Sequence, residues 1–216
     1  MSRLPALEQR PLSFDDCVFV NCPFDAKFKP LLHAILFAIH DCGFVARHAL
    51  QDVGGKESRL DKITRLIQSS RWSIHDVSRV ELSGGNKLPR FNMPFECGLA
   101  FGAMRLCDVN DRDALVMTGV QFQDKATISD LAGIDPGYHD NQAEIVIAKV
   151  RRFLAAKRSG PGIRGHANIY RRFLAYKKAL PAALKPEHKS VAEISSFDYI
   201  DDWLRLAVVW IAAHPK

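Results

Sequence analysis

The segment Trp72–Met104, WSIHDVSRVELSGGNKLPRFNMPFECGLAFGAM, decides the fold of this chain. It begins with a short apolar strand that ends at Asp76. A polar, glycine-rich loop follows, and Asn92 then begins a helix that carries Glu96 in its first turn. Ligands of open α/β sheets bind in the crevice where the strands end. We therefore expect Asp76 and Glu96 to face one crevice, and we expect that crevice to bind a nucleotide.

Strands and helices alternate on both sides of this segment. Apolar runs rich in β-branched and aromatic residues predict buried strands, and apolar residues at helical spacing predict helices. This alternation predicts a parallel sheet with right-handed crossovers, so the fold class is α/β. The predicted strands are Cys17–Val20, Phe44–Ala49, Trp72–His75 and Ala114–Met117, and residues 122–139 are compatible with a fifth short strand plus a loop. The predicted helices span Phe28–Asp41, Leu60–Ile67, Ile145–Ala156, Ile169–Leu180 and Phe197–Ala213, besides the one that begins at Asn92.

The order of these elements divides the chain into three parts. They are a leader that docks loosely (1–15), an α/β domain (16–158) and a helical C-terminal extension (159–216). Gly160-Pro161-Gly162 sets the second boundary because it breaks the preceding helix. We expect Pro181 and Pro186 to bound a linker between the last two helices.

The composition is close to the globular average, with 47% hydrophobic and 25% charged residues in a chain of 216. No apolar run reaches the roughly 18 residues that a membrane span needs, so we expect no membrane contact. The N-terminus lacks the apolar core of a signal peptide. The five cysteines are scattered, without the spacing of a metal site or a disulfide framework. A reduced, cytoplasmic protein that holds no metal is therefore expected.

The formal charge of +6 is concentrated in one block of the sequence. Between Ile145 and Pro186 there is no Asp or Glu. Such a block can attract phosphates, an acidic partner or nucleic acid, and a solvated helical face accounts for it equally well. The basic residues of the block, from Lys149 to Lys185, are Lys149, Arg151, Arg152, Lys157, Arg158, Arg164, Arg171, Arg172, Lys177, Lys178 and Lys185.

Glu96 is the first candidate for chemistry. A carboxylate near the start of a helix is favoured by the free N–H groups and the helix dipole, so a structural role fits it. Its neighbours are apolar, however, and burial among them raises a carboxylate pKa in the way typical of catalytic acids. Gly98 and Gly102 weaken the same helix by roughly 1 kcal/mol each relative to Ala. Close approach of a strand or ligand is one reason for these glycines.

Asp76 is the second candidate. A carboxylate at the tip of a parallel strand can accept hydrogen bonds from the hydroxyls of a sugar. It can also turn the following loop through Ser78, which is itself a candidate contact to the substrate. His75 points to the opposite face of the pleat, so we expect a structural histidine in the core.

Further binding candidates lie at the ends of the neighbouring strands. Asn21 follows the first strand and can hold a ribose or a phosphate, whereas Pro23 ends that strand because it has no N–H. Phe24 can stack on a base, which is worth about 1 to 3 kcal/mol, or simply cover the end of the sheet. Arg47 and Arg59 can each meet a phosphate or a surface carboxylate.

The residues just before the Glu96 helix, Arg90, Phe91 and Asn92, are placed to line the entrance of the pocket. The sequence contains no P-loop, no GxGxxG turn, no metal cluster and no Ser-His-Asp set. These candidates therefore define a binding edge without specifying a cofactor.

Three segments together resemble a bacterial family of TIR-like proteins, which is related in fold to the nucleoside 2-deoxyribosyltransferases. The segments are NCPFD (21–25), HDVSR (75–79) and FNMPFECGLAFGA (91–103). The resemblance covers residues 17–155 and implies a flavodoxin-like parallel sheet. It also implies that Glu96 is the central catalytic residue.

The resemblance further implies cleavage of an N-glycosidic bond in NAD or a nucleoside, with the nucleotide as substrate and no cofactor. Breaking that bond builds positive charge on the sugar, which a carboxylate can stabilise or trap covalently. In this picture Asp76 holds the sugar hydroxyls and Phe24 or Phe91 sandwiches the leaving base. The resemblance also implies a homo-oligomeric effector in anti-phage defence.

Two departures from these families leave other functions open. Deoxyribosyltransferases carry a second acid a few residues before the nucleophile, where this sequence has Arg90. TIR enzymes usually carry a Trp-Cys pair just before the Glu, where this sequence has Asn92-Met93. The alternatives are a non-catalytic module that binds a nucleotide signal or another protein, a nucleoside deoxyribosyltransferase or hydrolase, and a nucleic-acid-binding accessory that depends on the basic block.

Overall fold

A computed structural model describes residues 13–51, 57–78, 91–107, 111–120, 136–158 and 162–215. Five parallel strands form one sheet in the order β2-β1-β3-β4-β5. The strands are β1 (Cys17–Asn21), β2 (Val45–His48), β3 (Trp72–Asp76), β4 (Asp113–Thr118) and β5 (Gly137–Tyr138). The predicted fold class is confirmed: the chain is α/β, with a parallel, flavodoxin-like sheet flanked by helices.

Helices cover both faces of the sheet. They are α1 (Lys29–Asp41), α2 (Arg59–Gln68), α3 (Asn92–Leu106), α4 (Ala143–Ala155), α5 (His166–Leu184), α6 (Val191–Ile194) and α7 (Ile200–Ala213). Short 3-10 turns occupy Phe14–Asp16, Lys185–Glu187 and Phe197–Tyr199. Because side chains alternate along a strand, β1 sends Phe19 towards α2 and α3, and sends Val18 and Val20 towards α1 and α4.

The C-terminal extension shares its core with the α/β domain. The central part of α1 is apolar nearly all round and fully buried, since the sheet covers one side of it and α5 and α7 cover the other. The Phe37 ring of α1 lies 5.5 Å from that of Phe173 and 5.8 Å from that of Tyr176, both on α5. His33 of α1 stacks on Trp203 of α7 at 4.2 Å. Residues 159–161, at the predicted boundary, lie outside the described residues.

Pro181 lies inside α5, so the predicted linker from Pro181 to Pro186 is wrong at its start. A proline in a helix interior costs about 3 kcal/mol because it removes one backbone hydrogen bond. Leu180 and Leu184 are buried on either side of it, and burying a leucine contributes about 1.5 to 3 kcal/mol. The free energy gained by burying Leu180 and Leu184 therefore outweighs the tendency of Pro181 to end the helix.

The other predicted element boundaries hold to within a few residues. The fifth strand is present at Gly137–Tyr138, parallel to β4, while residues 121–135 lie outside the described residues. Residues 1–12 of the predicted leader also lie outside them, but its end is bonded to the domain: Trp72 Nε1 donates to the Asp15 carbonyl at 2.8 Å. Within the described ranges, no helix has both the length and the apolarity that crossing a bilayer requires.

Candidate functional site

The candidate site lies where β1 and β3 end. The order β2-β1-β3-β4-β5 reverses the direction of the crossovers between β1 and β3, and a crevice opens at the C-terminal ends of two such strands. Asn21 ends β1 and Asp76 ends β3. The connections that follow β2, β3 and β4 begin at the same edge of the sheet. Their residues 52–56, 79–90 and 121–135 lie outside the described residues.

Glu96 lies in the second turn of α3, slightly later than predicted, and its side chain is only 5% exposed. Arg59, the first residue of α2, donates from Nη2 to Glu96 Oε1 at 3.2 Å. Burial raises the pKa of Glu96, and the charge and hydrogen bond of Arg59 lower it. Because the Arg59 side chain is 55% exposed, the pair joins a buried carboxylate to a guanidinium that water or a ligand can reach.

The Asn21 side chain links the first turn of α3 to the sheet by a hydrogen bond. Its Nδ2 donates to the Met93 carbonyl at 2.8 Å and to His75 Nδ1 at 3.1 Å. His75 is fully buried and lies edge-on to Phe19 at 6.0 Å. Burial lowers the pKa of His75 to about 3, so the ring is neutral and accepts through Nδ1. His75 lies in the core, as predicted, and Asn21, predicted to hold a ribose or phosphate, is bonded to the first turn of the Glu96 helix.

Asp76 belongs to a separate buried network. Its Oδ2 lies 2.8 Å from His139 Nε2, and its Oδ1 accepts from the Ser78 N–H at 3.0 Å. Asn141 donates its N–H to His139 Nδ1 at 3.1 Å, so the proton of a neutral ring lies on Nε2 and points at Asp76. Ser78 Oγ approaches the same Nε2, at 3.3 Å. Serine and aspartate therefore share one nitrogen, which is incompatible with the relay of a Ser-His-Asp triad.

The expectation that Asp76 and Glu96 face one crevice is wrong. His75 points towards α3, so the next residue, Asp76, points through the opposite face towards α1 and α4. The side chains of Asp76 and His139 are both 0% exposed, and both carboxylate oxygens of Asp76 are bonded. Asp76 and Ser78, predicted to contact substrate, instead tie the end of β3 to the chain just beyond β5.

Cys22 is buried within electrostatic range of both carboxylates. It is buried directly after β1, and burial raises the pKa of its thiol well above the usual range. The negative charges of Asp76 and Glu96 raise that pKa further, so both carboxylates lie within electrostatic range of Cys22. The thiol is therefore protonated at neutral pH and is no nucleophile. Its only signal in the sequence is its place at the tip of the first strand.

The aromatic candidates separate into one exposed ring and one that packs on the extension. Phe91 is 67% exposed and immediately precedes α3, beside the exposed Asn92. Phe24 is half-buried and lies edge-on to Phe197 at 6.1 Å. Pro23 is buried after β1. The structure thus leaves Phe91 accessible at the start of the Glu96 helix and places Phe24 against the C-terminal extension.

Arg47 points away from the site. Burial raises the pKa of the Cys17 thiol, and the charge and hydrogen bond of the nearby Arg47 lower it, so the guanidinium lies beside Cys17. Cys17 begins β1, and the strand carries the chain on by about 13 Å before the site is reached. The structure does not bring Arg47 to the predicted pocket wall. Arg90, the other predicted entrance residue, lies outside the described residues.

Four arginines of the basic block are bonded to other groups of the protein, which limits the N–H donors that they can offer to nucleic acid. Arg151 and Arg158 donate to backbone carbonyls, and Arg164 and Arg172 pair with the buried Asp41. The exposed basic residues of the block are Arg152, Arg158, Arg171, Lys177, Lys178 and Lys185.

Comparisons with known proteins add no relative: no family model, no curated protein and no solved structure matches this chain. The resemblance to TIR-like proteins therefore stays a prediction. In the described ranges, no three His, Cys, Asp or Glu side chains converge on a possible metal position.

Proposed function

We propose that this protein cleaves the N-glycosidic bond of a nucleotide, NAD in the first place, and that Glu96 is its catalytic carboxylate. The observation that carries the proposal is the state of Glu96: nearly buried, raised in pKa and paired with an exposed arginine at the ligand-binding edge of a parallel sheet. The resemblance to TIR-like proteins supports the same residue.

The chemistry requires one carboxylate beside the anomeric carbon. As the bond breaks, the base leaves with the bonding electron pair and positive charge develops on the ribosyl ring. Ionised Glu96 stabilises that charge or bonds to the anomeric carbon, and the oxygen of a water molecule then takes its place. The water proton is released to solvent when neutral nicotinamide leaves, and it goes to the base when a nucleobase leaves. Low exposure strengthens this stabilisation because little water screens the carboxylate.

The neighbours of Glu96 have supporting roles in this proposal. Arg59 favours the ionised form of Glu96, because its charge and hydrogen bond lower the Glu96 pKa against the effect of burial. Its exposed face is available to a phosphate of the nucleotide. Phe91 offers a ring for the leaving base. Asn21 sets the position of α3, and Asp76 sets the end of β3 without touching the sugar. The proposal extends, on the resemblance alone, to a cytoplasmic homo-oligomer that depletes NAD during phage infection.

A second candidate is a non-catalytic module that binds a nucleotide signal. The Arg59–Glu96 pair favours it in one respect, since a bridge between α2 and α3 already gives Glu96 a structural task. A nucleoside hydrolase or deoxyribosyltransferase would use the same carboxylate and would differ in the acceptor.

Incubation of concentrated protein with NAD, and separately with nucleosides, tests the proposal by chromatography of the products. Free nicotinamide is expected from NAD, and Glu96→Gln should slow its release by about 100-fold or more, as loss of one key electrostatic group does. Glu144→Gln is the matched control, because Glu144 is an exposed carboxylate in the first turn of α4. Free nucleobase instead of nicotinamide would assign the nucleoside branch. Tight NAD binding without product would favour the signal-binding module.

A further inference from the structure

A second cleft lies at the opposite edge of the sheet, where α1 ends and the chain turns into β2. Its volume is about 370 Å³, which is within the range of roughly 300 to 1,000 Å³ for small-molecule sites. The walls are the end of α1 (41–43), Arg158 after α4, and residues 162–164 ahead of α5. The cleft thus lies between the α/β domain and the C-terminal extension.

Two guanidinium groups pair with one carboxylate beside this cleft, and two more bond to backbone carbonyls of its walls. The buried Asp41 carboxylate lies 3.3 Å from Arg164 Nη1 and 2.9 Å from Arg172 Nη2. Arg151 donates to the carbonyls of residues 163 and 164, and Arg158 donates to the carbonyls of residues 42 and 43. Because these last two arginines bond to neutral carbonyls, the cluster keeps an excess of positive charge.

The arginines converge on the wall of the cleft. Burial raises the pKa of the Cys42 thiol to about 12, Asp41 raises it too, and the charges of Arg151, Arg158 and Arg164 lower it. These three guanidinium groups therefore lie within electrostatic range of Cys42, which is itself part of the wall. Arg158 and Arg164 line the cleft directly.

Arg158 is held in place, yet it keeps donors for a ligand. Its guanidinium lies 5.4 Å from the centre of the Phe44 ring, and it covers Gly43 so closely that a Cβ there would strike it. In the described structure both of its carbonyl bonds use Nη1, while a guanidinium has five N–H donors in all. These bonds also offset the negative end of the α1 dipole, which would otherwise repel an anion.

We propose that this cleft binds a small phosphate-bearing molecule, which bridges Arg158 on the α/β domain and Arg164 on the extension. A phosphate matches the fork of donors on a guanidinium and carries enough charge to balance the local excess. Binding strengthens the docking of the extension, because the anion compensates repulsion among arginines that come from both parts of the chain. This site is independent of Glu96 and of its proposed activity.

Thermal unfolding and calorimetric titration of the full chain with inorganic pyrophosphate, at fixed ionic strength, test the site. Pyrophosphate should raise the Tm by about 5 °C at saturation. Gly162→Leu should weaken binding at least tenfold, since Gly162 lines the cleft and a Cβ there meets no atom within 4 Å, so a larger side chain can be added beside the anion without a clash. Arg158→Gln should weaken binding to a similar extent.

Arg171→Gln is the matched control, because Arg171 is exposed on α5 and lies outside the cleft. Its Tm shift should equal that of the wild type. Equal Tm shifts in the wild type and all three variants, or no Tm shift in the wild type, would overturn the proposal.

A parallel titration with AMP identifies the source of the phosphate. Tighter binding of AMP than of pyrophosphate assigns a nucleotide, and the reverse assigns an inorganic anion. The Gly162→Leu result keeps the test decisive if Arg158→Gln fails to fold.

Discussion

Glu96 and Asp76 are two carboxylates on neighbouring segments at one edge of the sheet, and the fold treats them differently. Asp76 has no exposed surface, and its partners His139 and Ser78 are themselves buried. Glu96 is nearly as buried, but its partner Arg59 is more than half exposed. The exposure of the partner, more than that of the acid, distinguishes the two.

The difference shows how the exposure of the partner decides whether a buried carboxylate at this edge stays accessible to a ligand. A buried acid whose acceptor sites are filled by buried donors stabilises the fold and leaves nothing for a ligand. A buried acid whose charge is only partly compensated keeps a raised pKa and a route to solvent through its partner. Asp76 is of the first kind and Glu96 of the second.

The largest effect is expected from Asp76→Ala. The substitution leaves the Ser78 N–H buried without an acceptor and leaves the Nε2–H of His139 only the longer contact to Ser78 Oγ at 3.3 Å. A buried donor without its partner costs about 1 to 3 kcal/mol. We expect the free energy of unfolding, measured by urea denaturation, to fall by about 3 kcal/mol. Glu96→Gln is the control and should change it by less than about 1 kcal/mol, because its partner Arg59 can turn to water. Similar losses in both variants would remove the distinction between the two acids.

A smaller effect on the pH profile is expected from Arg59→Gln. Glu96 acts as a carboxylate in the proposed reaction, so activity is present above its pKa and is lost as the pH falls through it. Arg59 lowers that pKa, and removing it should move the acid limb of kcat/KM to higher pH. Arg65→Gln is the matched control, since Arg65 lies on the same helix and pairs with Glu57. An unshifted acid limb would show that Glu96 does not govern the rate.

The smallest effect is expected from Gly98→Ala and Gly102→Ala. A Cβ at either position meets nothing within 4 Å, so within the described structure no close approach of a strand explains these glycines. Both lie inside α3, where Ala is favoured over Gly by about 0.5 to 1 kcal/mol. Denaturation should therefore show a stability gain of about that size in each variant. A loss of activity despite this gain would indicate that a ligand or a second copy approaches this face of the Glu96 helix.

The fold could be predicted from local patterns because each element carries its own signal. The apolar runs of β1 and β3 and the helical spacing in α1 and α2 identify strands and helices without knowledge of their partners. Pro181 shows the limit of this approach. Proline tends to end a helix, but α5 continues past Pro181 because Leu180 and Leu184 are buried against distant parts of the chain.

The sequence predicts at which edge of the sheet the candidate site lies, but not which side chains pair there. Arg59 and Glu96 are 37 residues apart, and Asp76 and His139 are 63 apart, so no local pattern pairs them. The direction of Arg47 is likewise invisible in the sequence, because a long side chain can reach towards either end of its strand. Such pairings depend on how strands and helices stack.

By itself the sequence determined a parallel α/β sheet, the order of its elements and the position of Glu96 near its ligand-binding edge, because periodicity and strand ends are local properties. Only the tertiary structure decided that Asp76 turns inward to His139, that Arg59 is the partner of Glu96, and that Arg164 and Arg172 pair with Asp41. Each of these outcomes depends on which face of a strand or helix is covered, and covering a face requires segments that are far apart in the chain.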